Sequence, residues 1–428
     1  MRSGESATPA LARIEADLRP AAQSLAFQAM RQLGRAEALR KLLARRPPPP
    51  QADALLCTAL ALCWREDGPY TPFTLVDQAV EAAKRSPAMA AQSGFLNACL
   101  RRFLRERDAL IADTDADPVA QWNHPRWWID RLRQDHPLHW QAILQANNVA
   151  APMTLRVNAR KAQRDAVLAR YREAGIECAP VGAAGIELAQ ARPVQALPGF
   201  ADGEVSVQDA AAQLAAPLLL EGLQPRAGRR LRVLDACAAP GGKTAHLLEL
   251  ADADVTALEL DLVRARRIGE TLDRLQLHAR VVTADAADVA GWWDGEPFDA
   301  VLLDAPCTAS GIVRRHPDVR WLRRPGDVAQ LGAQQDRLLH ALWPLLRPGG
   351  RLLYCTCSVF RAEGEARVQA FVAHNKAAEL RPSPGHLLPG RSGNGEPLRD
   401  NPASDHDGFF YALLARRATD ARPLAAAA

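Results

Sequence analysis

The sequence predicts an α/β protein whose C-terminal half is a Rossmann-like, mostly parallel sheet, preceded by an all-α domain and a small α/β region. Three observations support this fold class. Apolar, strand-like segments alternate with helical patterns from about residue 206 onward. One strand runs into a Pro-Gly-Gly turn that opens a helix, within residues 231–250. Residues 21–107, by contrast, carry the 3.6-residue apolar period of helices.

The apolar pattern of the N-terminal third predicts a small bundle of amphipathic helices. Its clearest stripe lies between Phe95 and Leu104, where apolar side chains share one helix face. Arginines occupy the other sides of this segment, and such residues more often form a solvated face than an RNA site. Over the whole chain we expect five parts: a flexible leader (1–20), a helical domain (21–120) whose NusB-like, RNA-binding character is implied only by the family resemblance described below, linker helices with a small α/β region (121–205), the Rossmann-like domain (206–417) and a disordered tail (418–428).

The Rossmann-like domain is predicted from six strand-like segments in regular order. Helical patterns lie between most of them, so the strands should be mainly parallel, with helices on both faces. In such a sheet the chemistry lies at the carboxyl ends of the strands. The six segments are 231–236, 254–260, 279–284, 299–304, 350–357 and 409–415, and the small α/β region adds a strand at 154–157 and a helix near 160–174.

Composition limits the class of protein. A chain of 428 residues with 48% apolar residues is long enough for two or three domains, and its net charge of +4 is compatible with nucleic acid without indicating it. The eight cysteines form no Cys-x-x-Cys pair, so we expect free thiols and no metal. The sequence shows no secretory signal and no apolar run of about 18 residues, which predicts a cytoplasmic protein that binds no membrane.

The run from Asp235 to Thr244, with the sequence DACAAPGGKT, predicts a cofactor loop. Gly241 and Gly242 have no Cβ atom, so a ligand can approach the backbone closely. The first turn of the following helix offers N–H groups to an anionic end of that ligand. The run is neither the dinucleotide fingerprint nor a Walker A loop. An ordinary tight turn between strand and helix is the plainer alternative.

Acidic residues end the next two predicted strands. Glu259 follows the glycine loop by about 20 residues, where an acid can accept hydrogen bonds from ribose hydroxyls. Asp261 is the near alternative, although capping the next helix is its simpler role. Asp285 ends the third strand, where it can either meet an adenine amino group or cap a helix. Because three strand ends converge on one place, the pattern favours a ligand.

Two cysteines lie at the ends of the later core strands. Cys307 follows Asp304-Ala-Pro306, and Cys357 ends the segment Leu353–Cys357. A thiolate at such a position can form a covalent intermediate with a substrate, and a second group nearby can act on its release. Two buried structural thiols are the alternative, because cysteine is among the most buried residue types.

A basic loop follows Cys307. Residues 311–324 contain five arginines, one histidine and one tryptophan. Arginines such as Arg314, Arg315 and Arg320 can neutralise phosphates, and an aromatic ring can stack on an unpaired base. A solvated basic loop is the alternative. Because this loop follows a candidate catalytic cysteine, we expect these three arginines to bind RNA.

These motifs resemble those of the bacterial 16S rRNA cytosine-C5 methyltransferases, of the small-subunit methyltransferase B type that carries a NusB-like helical domain. The chain departs from the family at Glu259, where an aspartate is commoner, and at Arg361–Glu365, where the family often has an asparagine. Besides the cofactor loop and the two cysteine motifs, the resemblance rests on NACLRRF (97–103), NHP (123–125), SVQDA (206–210) and DGFFY (407–411).

The resemblance implies a Rossmann-like domain that binds S-adenosyl-L-methionine. It assigns attack on cytosine to Cys357 and release to Cys307, although the residues alone leave this open, since DNA methyltransferases attack from a Pro-Cys. Cys355 is expected to be structural. The implied cofactor-binding residues are Cys237, Ala238, Ala239, Pro240, Gly241, Gly242, Lys243, Glu259, Asp285 and Asp304.

Two charged residues complete the expected catalytic set. Asp304 is placed to hydrogen-bond the N3 and amino edge of the base, and Lys243 to lower a thiol pKa or hold Asp304. The expected partner is RNA, 16S rRNA first, and the expected state is a monomer. Methylation of a tRNA cytosine with the same residues and a non-catalytic RNA-binding assembly factor are the two alternatives.

Overall fold

The computed structural model describes residues 4–68, 70–225, 228–390 and 405–418. Contacts between its residues divide the chain into two compact units. The first comprises Met1–Ala150 and Val313–Arg323, and the second Ala151–Ile312 and Arg324–Ala428. The middle region predicted over 121–205 is therefore divided between them, because its helices belong to the helical unit and its strands to the other.

The first unit is helical, as predicted. Leu39, Leu56, Leu60, Leu96 and Phe103 are fully buried in its core, so the apolar stripes do mark the packed faces. Its helices are Ala7–Ala12, Arg19–Met30, Leu33–Leu43, Pro50–Cys63, Pro72–Arg85, Ser93–Arg105, Arg107–Thr114, Pro118–Trp122, Arg126–Asp135, Trp140–Ala146 and the short Val319–Leu322.

The N-terminal segment is held in place over its described part. Ser6 caps helix Ala7–Ala12 by accepting a hydrogen bond from the N–H of Thr8. The hydroxyl of Ser6 and the N–H of Ala7 donate to the buried Asp318 carboxylate at 2.9 and 2.8 Å. A flexible leader over 1–20 is therefore the wrong prediction for residues 4–20. The tail predicted over 418–428 lies, from residue 419 on, outside the described residues.

The second unit contains a small antiparallel sheet with the strand order β2-β3-β1-β4. Leu155 and Ile186 of this sheet are fully buried, in one cluster with Tyr171 of the helix at 164–173. The predicted first strand and helix are confirmed, whereas three strands were too short to give a periodic signal. The strands are β1 (Met153–Val157), β2 (Cys178–Val181), β3 (Gly185–Leu188) and β4 (Val205–Val207), with the helix at Arg164–Glu173.

A seven-stranded sheet with the order β10-β11-β9-β8-β5-β6-β7 forms the centre of the second unit. Strands β5 to β9 are parallel to their neighbours in this group, and β10 and β11 add an antiparallel edge. The strands are β5 (Leu231–Asp235), β6 (Ala253–Glu259), β7 (Arg280–Thr283), β8 (Phe298–Asp304), β9 (Leu346–Thr356), β10 (Ala378–Leu387) and β11 (Phe409–Arg416).

The predicted parallel sheet is thus confirmed, and both of its faces are covered. Val233 and Leu302 are fully buried on one face, and Leu234, Val301 and Leu303 on the other. Strand β10 was missed because its sequence contains two prolines, which an edge strand tolerates. The helices of this unit are Ala215–Leu220, Gly242–Leu250, Leu262–Leu275, Pro325–Leu342 and Glu365–His374, besides Arg164–Glu173.

Candidate active site

The predicted cofactor loop lies between β5 and helix Gly242–Leu250. Gly241 precedes the helix with φ = 97°, a conformation that favours glycine, and a Cβ atom there would lie 3.1 Å from the Cα atom of Ile268. Among the described residues outside its own helix turn, the nearest atom to a Cβ atom on Gly242 would be Gln208 Nε2, at 3.8 Å. The protein therefore requires a glycine at 241, and at 242 it leaves room for a ligand beside the first turn of the helix.

Asp235, which the sequence reasoning did not select, is a fully buried carboxylate at the end of β5. Its Oδ2 accepts a hydrogen bond from Thr244 Oγ1 at 2.6 Å, and its Oδ1 has no partner within the part of the chain that is described. Burial raises the pKa of Asp235 to about 7, although the bond from Thr244 opposes the rise. A buried acceptor beside the glycine loop suits a hydrogen-bond donor of the cofactor. In the sequence, the position of Asp235 at the end of the first core strand could have identified it as a candidate site residue.

Glu259 and Asp261 have separate roles in the structure. Glu259, at the end of β6, is buried, and its Oε1 accepts from the N–H of Asp261 at 3.1 Å and lies 3.3 Å from Nη1 of Arg264. Asp261 caps helix Leu262–Leu275 by accepting from the N–H of Arg264 at 2.8 Å. Because Asp261 has the simpler capping role, Glu259 is the better candidate for binding the cofactor.

Asp285 lies just beyond β7 and has two partners in the structure. It accepts from the N–H of Ala287 at 2.9 Å and forms an ion pair with Arg337, also at 2.9 Å. Burial alone would raise its pKa, but the N–H of Ala287 and the guanidinium of Arg337 hold the pKa of Asp285 below its usual range. Asp285 is therefore a charged acceptor at the sheet edge where the cofactor is expected.

The variants Glu259→Ala and Asp285→Ala are expected to weaken S-adenosylmethionine binding while the fold survives. Each lost hydrogen bond to a polar group of the cofactor should cost roughly 1–3 kcal/mol. Calorimetric titration measures the affinity, and Asp261→Ala is the matched control because it removes only a helix cap. Unchanged affinity in both variants, or a loss in Asp261→Ala instead, would contradict the assignment.

The two predicted cysteines meet at the ends of adjacent parallel strands. Cys307 follows β8 and Cys357 follows β9, and their Sγ atoms are 3.4 Å apart. Both side chains are half-buried. The backbone fixes this approach, since the N–H of Gly311 donates to the carbonyl of Cys357 at 2.9 Å. A Cβ atom on Gly311 would lie 2.0 Å from the carbonyl oxygen of Gly408, so the chain segments can pack this closely only with glycine there.

The contact with Cys357 affects the ionisation of the Cys307 thiol. The hydrogen bond to Cys357, followed by burial and by the charge of Cys357, raises the pKa of Cys307 well above its ordinary value. Two thiolates in contact would repel each other, so ionisation of one thiol disfavours ionisation of the other. Loss of the proton from Cys307 is therefore disfavoured while its thiol contacts Cys357.

An ion pair between Lys243 and Asp304 lies beside these thiols. Nζ of Lys243 is 2.5 Å from Oδ2 of Asp304. Burial alone would lower the pKa of Lys243, but Asp304 and neighbouring thiols outweigh it and the pKa is raised. Lys243 therefore remains an ammonium that holds Asp304. Cys355 is fully buried and donates to Oδ1 of Asp304 at 3.5 Å, and burial raises its pKa, which fits a structural role.

Two of the arginines predicted to bind RNA are instead buried in the first unit. Arg314 and Arg320 are 1% and 0% exposed. Arg320 donates to the carbonyl of Asn147 at 2.6 Å and to Oδ1 of Asn148 at 2.5 Å. RNA contact through Arg314 and Arg320 is therefore a wrong prediction, because their guanidinium groups face the protein interior. Arg315 is half-buried, and its RNA contact stays a prediction.

Replacement of Arg320 with Met should lower the free energy of unfolding by about 3 kcal/mol, because buried acceptors that lose a donor cost roughly 1–3 kcal/mol each. Urea unfolding followed by tryptophan fluorescence measures the change. Arg126→Met is the control, since the Arg126 side chain is 64% exposed and its substitution should change stability by no more than about 0.5 kcal/mol. Unchanged stability together with weaker RNA binding would restore the original assignment of Arg320.

Comparison with known proteins places the chain among RNA-modifying enzymes. The family model described as 16S rRNA methyltransferase RsmB/F matches residues 221–415, and that of a ferredoxin-like domain of RsmF/B-like methyltransferases matches 124–195. Ribosomal RNA small subunit methyltransferase B of Pseudomonas putida is 47% identical over 334 residues, which cover 75% of this chain and 73% of that protein. The protein of the same name from Vibrio cholerae is 38% identical over 97% of this chain and 94% of its own.

Solved structures support the same fold. The crystal structure of PH0851 is 25% identical, with a TM-score of 0.71, and covers 94% of this chain and 91% of its own. A methyltransferase homolog from Pyrococcus horikoshii is 27% identical, with a TM-score of 0.57, and covers 70% of this chain and 98% of its own. Within the described residues, no helix is both long and apolar enough to span a bilayer, and no group of three or more His, Cys, Asp or Glu residues could hold a metal ion.

Proposed function

This chain belongs to the RsmB/F family of 16S rRNA methyltransferases, which use S-adenosyl-L-methionine, and we propose that it methylates C5 of a cytosine in 16S rRNA. The observation that carries the proposal is the contact between Cys307 and Cys357, whose Sγ atoms are 3.4 Å apart at the carboxyl edge of the sheet. Attack at C6 needs one thiol, and release after methyl transfer needs a second group that can take a proton.

The residues at the cofactor loop fit S-adenosylmethionine. Gly242 leaves room beside the first turn of its helix, and Oδ1 of Asp235 is a buried acceptor with no partner among the described residues. Glu259 and Asp285 add acceptors at the ends of the next two strands. When bound, the cofactor supplies an electrophilic methyl group on a sulfonium sulfur.

The raised pKa of Cys307 supports a reaction in which Cys357 attacks the base and Cys307 acts at the release step. Cys357 adds to C6 as a thiolate, and Asp304, held by Lys243, hydrogen-bonds the base and stabilises the charge that develops there. The new C–S bond neutralises Cys357 and so removes the largest cause of the raised pKa of Cys307. Cys307 can then lose its proton to solvent and accept the C5 proton. The electrons of the C5–H bond form the C5=C6 bond as Cys357 leaves as a thiolate.

The names of the relatives favour 16S rRNA over tRNA as substrate. The test is transfer of a labelled methyl group to 16S rRNA and to tRNA, both transcribed in vitro, and bisulfite sequencing of both RNAs from cells that lack the protein. We expect one 16S rRNA cytosine to lose its mark. Loss of a tRNA mark would make the protein a tRNA methyltransferase, and no transfer to either RNA would favour the assembly factor.

A further inference from the structure

Glu363 is a buried carboxylate to which the proposed reaction gives no role. It lies in the short turn Arg361–Glu363, a few residues after Cys357, and its side chain is 0% exposed. An ionised carboxylate inside a protein is costly unless hydrogen-bond donors surround it. The position of Glu363 can therefore be explained only by the groups that it contacts.

The side chain of Glu363 joins the residues that follow the two cysteines. Oε1 accepts from the N–H of Thr308 at 2.8 Å, and Oε2 accepts from Thr308 Oγ1 at 2.5 Å and from Ser358 Oγ at 2.6 Å. Thr308 directly follows Cys307, and Ser358 directly follows Cys357. A carboxylate can accept all three bonds with its two oxygens, whereas an amide has one acceptor oxygen and would place an NH₂ group against one set of donors.

Neighbouring groups hold this carboxylate in place. The hydroxyl of Tyr354 donates to the backbone carbonyl of Glu363 at 2.7 Å. Gln335 donates to the carbonyl of Pro306, the residue before Cys307, at 2.9 Å. A Cβ atom on Gly364 would lie 2.6 Å from the ring of Phe410, so the chain can turn here only with glycine. These contacts fix the backbone of the turn that carries Glu363.

The charge of Glu363 also acts on the thiol pair. After the hydrogen bond to Cys357, burial and the charge of Cys357, the carboxylate of Glu363 is a further cause of the raised pKa of Cys307. Other titratable groups of the described residues that interact with the pair are Tyr354, on the Cys307 side, and Lys243 and Tyr411, on the Cys357 side. Of the groups named, Glu363 is the carboxylate that acts on Cys307.

We propose that Glu363 is a positioning residue for both cysteines, which clamps the residue after each of them, Thr308 and Ser358, and holds its carboxylate on the Cys307 side of the pair. The inference rests on the proposed function for the roles of the two thiols. Its geometric part concerns the protein alone, so it can be tested without RNA.

The test is the pH dependence of thiol alkylation in the full-length protein. Labelling of Cys307 and Cys357 by iodoacetamide is quantified for each peptide by mass spectrometry between about pH 6 and pH 10. In Glu363→Gln the labelling curve of Cys307 should move to lower pH by roughly one unit, because a nearby negative charge is lost. Glu363→Asp keeps the charge and should keep the curve. Glu365→Gln, which removes a half-exposed carboxylate two residues away, is the matched control.

Methyl transfer gives the second measurement. Both Glu363→Gln and Glu363→Asp should lower kcat by about 100-fold, because loosened loops misplace the reacting thiols. The KM for S-adenosylmethionine should stay unchanged, since Glu363 does not contact the cofactor loop in the hydrogen bonds described. Thr308→Val removes one donor with little change of shape, and it should lower kcat in the same way by a smaller factor even if Glu363→Gln fails to fold.

The outcomes separate this inference from the proposed function. If Cys307 is alkylated at the same pH in Glu363→Gln and in the wild type, or if Thr308→Val keeps full kcat, the role of Glu363 is wrong. If the wild-type protein methylates no cytosine, the proposed function fails, and the alkylation curves still decide whether the carboxylate of Glu363 acts on the Cys307 thiol.

Discussion

Replacement of Cys357 with Ala is expected to abolish methylation and to leave no covalent protein–RNA adduct. Without its sulfur nothing can add to C6, and C5 remains too weak a nucleophile to take the methyl group. Methyl transfer from labelled cofactor and denaturing electrophoresis with labelled RNA measure the two effects.

Replacement of Cys307 with Ala should have the opposite effect on the adduct. Cys357 can still attack and the methyl group can still be transferred, but the C5 proton is removed slowly, so the covalent species accumulates. It should survive denaturing electrophoresis and disappear in the double variant Cys307→Ala/Cys357→Ala. The contrast between the single variants therefore assigns the two thiols independently of their pKa values.

A third cysteine variant provides the control. Cys178 lies in β2 of the small sheet and is half-buried like Cys307 and Cys357, so Cys178→Ala should methylate as the wild type does. An adduct that accumulates in Cys357→Ala and needs Cys307 would reverse the assignment, with attack from the Pro-Cys thiol. Full activity in both single variants would exclude the covalent mechanism for this chain.

The sequence could predict the site residues that lie in short contiguous motifs, because such a motif can be recognised without knowing the fold. Gly241 and Gly242 lie in one contiguous loop, and Cys307 and Cys357 each lie directly after a strand-like segment. Because the carboxyl ends of parallel strands meet at one edge of a sheet, recognising the strands was enough to bring the two thiols together. The parallel sheet itself followed from the regular alternation of strands and helices.

The residues that sequence reasoning misjudged or missed depend on contacts with distant parts of the chain. Arg320 looks like a residue of a basic loop, but its donors bind Asn147 and Asn148, more than 170 residues away. Glu363 and Thr308 are 55 residues apart. The sequence around Arg320 or Glu363 does not reveal these distant partners. Arginine and glutamate side chains are most often exposed, so their burial could not be expected before the fold was known.

Loss of the ion pair between Lys243 and Asp304 is expected to slow attack on the base strongly. Asp304→Asn should slow adduct formation by about 10²–10³-fold, the size expected when one preorganised hydrogen-bonding group for developing charge is lost. Lys243→Met should slow the reaction to a similar extent, because Asp304 then loses the 2.5 Å contact that holds it at the end of β8. Single-turnover kinetics of adduct formation, at saturating cofactor, measure both.

The double variant Lys243→Met/Asp304→Asn tests whether the two residues act as a unit. If Lys243 acts by holding Asp304, the double variant should be no slower than either single variant, since removing the second partner of a broken pair adds little. Asp299→Asn is the matched control: it lies at the other end of β8, pairs with Arg347 and should leave the rate unchanged. Additive losses would show that Lys243 acts separately from Asp304, and an active Asp304→Asn would remove Asp304 from the stabilisation of the base.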